Sequence, residues 1–147
     1  MSHTVSTQAA QTVPTAQKAE WTPARRALVI AGAVLIAATW LYFVLVHPAD
    51  WDQVTGSGQG IALLAGYGIG TALLLAAVIP VLPARTLGLI PIAIIINSVV
   101  GEIVGSIGLP LYLDSVGTVL VAALAGPVAG MATGALNNVV WGLLNPA

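Results

Sequence analysis

Glu102, Tyr112, Asp114, Asn137 and Asn138 are the residues of this sequence best suited to chemistry, and all lie in or beside strongly apolar runs. In lipid, a carboxylate or amide needs a partner or a water-filled cavity, because leaving it unpaired costs several kcal/mol. An anchor needs only Leu, Ile and Val. Polar groups and helix breakers at membrane depth therefore point to a place where something polar is held. The chemistry available is hydrogen bonding, charge attraction and ring stacking, which suits binding a small solute.

Each of these residues also has a plainer reading. Glu102 is the one acid inside an apolar span, and an interfacial position seven residues before Leu109 would account for it as well as a cavity would. Asn97, five residues earlier, suits either an interhelical hydrogen bond or a ligand. Asp114 opens a short apolar segment, where Asp is a favoured N-cap and is also free to touch a ligand. Asn137 and Asn138 are adjacent, so on a helix they point about 100° apart. One is expected to pack and the other to face a solute. Tyr112 and Trp141 could stack on a flat ligand or sit in an interfacial aromatic belt.

No catalytic set appears. The serines have no neighbouring His or Lys base, no Gly-x-x-x-x-Gly-Lys loop occurs, and no lysine follows Lys18. The chain reads as a non-enzyme that needs no cofactor. His3 and His47 lie far apart and outside the apolar runs, unlike clustered metal ligands. With no cysteine, disulfides and thiolate chemistry are excluded.

The elements that carry these residues are membrane helices. The 147 residues are 58% hydrophobic and only 6% charged, against about 25% charged in soluble domains. So few charges cannot cover a surface in water, and no basic patch exists for nucleic acid. Residues 1–24 are rich in Ser, Thr, Gln and Pro and read as a disordered cytoplasmic tail. Residues 25–85 carry two spans, Ala27 to Val46 and Ile61 to Leu82. Arg25-Arg26 before an apolar run hints at a secretion signal, but the run is longer than a signal core and reads as a retained helix. A third span runs from about Thr86 to Gly108. Val116 to Ala125 is only half a bilayer long, and Pro127 to Leu144 is nearer a full one. Gly126-Pro127 is expected to divide these two helices, with Pro127 in the first turn of the second. The alternative is one kinked span. Glycines at Gly66/Gly70, Gly101/Gly105 and Gly126/Gly130/Gly134 mark faces for close helix packing. The fold class is an all-α polytopic membrane bundle of about four to five helices.

The run Leu109 to Asn138, LPLYLDSVGTVLVAALAGPVAGMATGALNN, resembles the substrate-binding (S) component of energy-coupling factor (ECF) transporters. The resemblance rests on Leu113-Asp114, on Gly126-Pro127-Val128-Ala129-Gly130 and on Asn137-Asn138, and covers roughly residues 86–145. It implies a plasma-membrane protein that captures a vitamin-like micronutrient near the outer face. Delivery would depend on an ECF transmembrane coupling subunit and ATPase subunits. Asp114, Tyr112, Asn137 and Asn138 lie on the elements that border the binding region in that family. Members have six membrane helices, and residues 86–147 supply about the first three, so they read as the N-terminal part of such a domain. Two other functions fit the same spans: the membrane input domain of a sensor protein, and a ligand-free accessory subunit.

Lys18, Arg25, Arg26 and Arg85 all fall on one side if the N-terminus is cytoplasmic. The chain has no native cysteine, so single cysteines can report on this orientation. A cysteine at Gly58 is expected to react with an impermeant maleimide added outside intact cells, and one at Ala84 only after permeabilisation. The reverse pattern overturns the topology.

Overall fold

The computed structural model describes residues 20–46, 54, 56–108 and 113–144. Most of the expected tail and Tyr112 lie outside these residues. Among them the chain is helical, with no strand.

Helix α1, Pro23–Leu41, starts where Thr22 Oγ1 accepts the Arg25 N–H at 3.3 Å and proline takes the first turn. Pro23 and Ala24 thus belong to the helix rather than to the tail. A five-residue π-helical turn, Tyr42–Val46, extends it. Helix α2, Gly58–Val78, begins three residues before the apolar run because Ser57 Oγ accepts the Gly60 N–H at 3.1 Å. It ends in a 3-10 turn, Ile79–Val81, at Pro80. A single helical turn, α3 (Ala84–Leu87), leads into α4, Leu89–Ser106. Helix α5, Val116–Ala125, and helix α6, Pro127–Leu144, are separated only by Gly126.

The stretches Pro23–Val46, Gly58–Val81 and Ala84–Ser106 are long and apolar enough to cross a membrane. Large side chains such as Ile30, Val34, Ile95, Ile103 and Val119 cover the outside, as a protein solvated by lipid requires. The protein is an all-α membrane bundle. Helix α6 has 18 residues but is not among the apolar spans. Its glycines, Thr133 and two asparagines lower its hydropathy, so its place in the membrane depends on its neighbours.

Gly126 is the reason two helices exist here instead of one. Its φ of 96° lies in the left-handed region, open to glycine at little cost. Its N–H closes α5 on the Ala122 carbonyl at 3.0 Å, and its carbonyl accepts the first α6 bond, from Gly130 N–H at 3.1 Å. Proline then starts α6 where no donor is needed. The expected division is what the structure has.

Small residues set how the helices pack. α2 lies against α1 and α6, α5 against α4 and α6, and α4 touches α6. A Cβ on Gly32 would meet the Gly70 carbonyl oxygen at 2.7 Å, and one on Gly70 would meet the Gly32 carbonyl at 3.0 Å. Gly66 similarly abuts Thr39. On the other side of the bundle Gly117 faces the Ala93 backbone, Gly130 faces Ala122 and Gly134 faces Thr118. Each of these pairs is antiparallel in register. Leu74, Val78, Ala93, Val121, Ala129, Ala132 and Ala135 fill the core between them. Two expected packing positions do not pack: Gly105 has nothing within 4 Å, and Gly126 serves conformation instead.

Replacing Gly117 or Gly130 is therefore expected to disrupt the bundle, since a Cβ at either would fall within 3 Å of backbone atoms of the facing helix. Gly117→Ala and Gly130→Leu should lose folded protein in a detergent melting assay. Gly105→Ala should melt at or above the parent temperature, because alanine is favoured over glycine in a helix by roughly 0.5–1 kcal/mol. Equal melting of all three would refute this packing.

Candidate functional site

Asn97 is the ninth of eighteen residues in α4 and is fully buried. Its Oδ1 accepts the Gly117 N–H at 2.6 Å, and its Nδ2 donates to Thr118 Oγ1 at 2.9 Å. Gly117 and Thr118 are in the first turn of α5, whose N–H groups have no partner within the helix. The α5 N-terminus thus sits beside the midpoint of α4, roughly 13 Å from its distal end. Asn97 serves as a helix cap supplied by a neighbouring helix, which decides between the two readings of it.

That cap replaces the expected one. The N-cap residue of α5 is Ser115, which makes no side-chain cap bond, and Asp114 precedes it in a turn. Asp114 is exposed, its Cβ lies where a Cβ on Gly101 would come within 3.3 Å, and its carboxylate makes no hydrogen bond among the described residues. The reading of Asp114 as N-cap is therefore corrected. The acceptor is an amide twenty residues away in sequence, which no local pattern could have pointed to.

Helix α6 brings the two asparagines to the same level. The contacts of Gly130 with Ala122 and of Gly134 with Thr118 fix an antiparallel register. Continued by one turn, it places Asn137 and Asn138 level with Ser115 and Asp114. Asn137 is seven residues beyond Gly130, so it lies on the same face, within about 20°. That face looks toward α5. Asn137 is only 7% exposed, and its Oδ1 is buried with no hydrogen-bond partner. Asn138 is exposed and points about 100° further around the helix. It lines an open apolar groove of about 570 Å³ between α1 and the α5–α6 hairpin, with Trp40, Tyr67, Thr118 and Met131.

Three of the sequence candidates, Asp114, Asn137 and Asn138, are thus brought to one level beside the start of α5. Glu102 is not among them. It lies about 140° around α4 from Asn97 and is exposed, with no partner among the described residues. Of the adjacent asparagines, Asn137 is buried and Asn138 exposed. Sequence reasoning missed the roles of Thr118 and Gly117, which emerge only when α4 is laid against α5. Among the described residues, no group of His, Asp and Glu is placed to hold a metal ion.

Comparison with known protein families, with curated proteins and with solved structures finds no match.

Asn97→Leu keeps the volume and removes both bonds, leaving the Gly117 N–H buried without an acceptor. It is expected to cost about 1–3 kcal/mol of stability, while Thr118→Val, which removes one bond, should cost less. Denaturant titration in detergent checks the order. A neutral Asn97→Leu would show that this cap contributes nothing.

Proposed function

We propose that this chain is the membrane-embedded substrate-capture component of an ATP-driven, ECF-type uptake transporter for a vitamin-like micronutrient. The observation that carries the reading is the depth of the α5 N-terminus. Residues Leu113–Ser115 are not helical, yet the residues after them pair with the middle of α4. Non-helical backbone is tolerated at such depth where it is buried in protein or lines a polar cavity. Discontinuous helices whose ends meet at the membrane midplane commonly hold the solute in transporters. Asn137, buried with an unused acceptor, and Asp114 border that point.

In this reading the basic end of the bundle faces the cytoplasm and the start of α5 opens outward. A coupling subunit and ATPases then drive delivery. The resemblance of Leu113-Asp114, Gly126-Pro127 and Asn137-Asn138 to the S component supports the same assignment.

The test is mass spectrometry of small molecules retained by the protein purified in mild detergent, followed by affinity and melting measurements on two variants. Asp114→Ala should weaken binding of the retained solute without lowering the melting temperature, because its side chain is exposed and caps no helix, and Asn137→Ala should weaken binding too, because its unpartnered Oδ1 borders the same point. If no solute is retained and both variants differ from the parent only in stability, the assignment fails.

A further inference from the structure

The bundle's charges are sorted by end. Arg25 and Arg26 open α1 and Arg85 follows α2, all at one end. Apart from these and Lys18 the sequence has no lysine or arginine. Among the described residues the other half carries Glu102 and Asp114 and no basic side chain. Any solute arriving at that end meets a field of one sign, which concentrates cations and repels anions.

Two unpaired acceptors stand at the start of α5, one a carboxylate and one an amide oxygen. Asp114 is an acceptor with no donor among the described residues, and Asn137 Oδ1 is a second acceptor, buried and unpartnered. The opposing contribution is the positive end of α5, worth about half an elementary charge. Part of it is already met by Asn97 Oδ1, which takes the Gly117 N–H. One full negative charge beside a partly neutralised half-charge leaves the position net negative. Asn137 lies on the α6 face that looks toward this point, and its oxygen can be satisfied only by a donor.

We propose that the site takes a small organic cation bearing N–H donors, an ammonium or amidinium group, held between Asp114 and Asn137. This rests on the solute-capture reading above and narrows it to a chemical class. The positive charge faces Asp114, and one N–H reaches Asn137 Oδ1. Burying that N–H also removes the unpaired acceptor, whose desolvation otherwise weighs against the fold.

Benzamidinium, benzamide and benzoate share one shape and carry charges of about +1, 0 and −1 at neutral pH, which makes them a matched probe set. Their dissociation constants are measured by equilibrium dialysis on the full chain in nanodiscs of zwitterionic lipid. Benzamidinium is expected to bind roughly tenfold or more tightly than either of the others. Asp114→Asn should abolish this preference without changing the melting temperature, and Glu102→Gln, which faces away, should leave it nearly intact. Benzoate binding as tightly as benzamidinium overturns the proposal, as does a preference that survives Asp114→Asn. If the solute retained on purification is neutral or anionic, the cation assignment falls while solute capture stands. If no solute is retained and no probe binds, both fall.

Discussion

The bond from the Gly117 N–H to Asn97 Oδ1 is the constraint on which the second half of the bundle depends. A helix that starts inside a membrane exposes donors that water cannot reach, and each unsatisfied one costs several kcal/mol. Helix α5 starts there, and its own entrance residues make no side-chain cap. The fully buried Asn97 supplies the missing acceptor and donates one of its two amide N–H groups to Thr118. One amide therefore ties the depth of α5 to the midpoint of α4.

The glycines follow from that bond. A side chain as short as asparagine reaches a neighbouring backbone only if the helices nearly touch. Gly117 against Ala93 allows that approach, and Gly130 and Gly134 repeat it between α5 and α6. In lipid such closeness also supplies the driving force, because apolar side chains gain little by leaving one hydrocarbon environment for another. The Gly126-Pro127 junction completes the arrangement. It lets α6 turn back along α5 within a single residue, so the hairpin stays tight enough for its small faces to meet.

The same geometry leaves a polar point at the start of α5. The helix occupies the angle between α4 and α6 only over their basic-end halves. Above it, the register carries Asn137 and Asn138 to the level of Asp114. Asn138 looks instead into the groove shared with α1, where the walls are apolar. The N-terminal pair contributes by docking α2 on α6 through Leu74 and Val78 against small alanines. Its own reciprocal Gly32–Gly70 contact makes α1 and α2 a separate closely packed unit.

Much of this was readable from the residues alone. Hydropathy and length gave the spans, because lipid admits only long apolar helices with internal backbone bonding. Gly126-Pro127 marked the break, since proline cannot continue a helix and glycine alone enters the left-handed region freely. Gly66/Gly70 and Gly130/Gly134 marked close packing because only missing side chains permit it. Which glycines pack was another matter: Gly105 and Gly126 share the spacing but not the contact. The candidate residues stood out by being polar where polarity is costly, yet their roles depended on partners far away in sequence. Local pattern made Asp114 the natural cap, whereas only the laying of α4 against α5 could make Asn97 the acceptor. Likewise, the sequence determined that Asn137 and Asn138 point in different directions on a helix. Only the antiparallel register of α5 and α6 decided that Asn137 is the buried one facing the start of α5, because a helix carries no mark of which neighbour its face will meet.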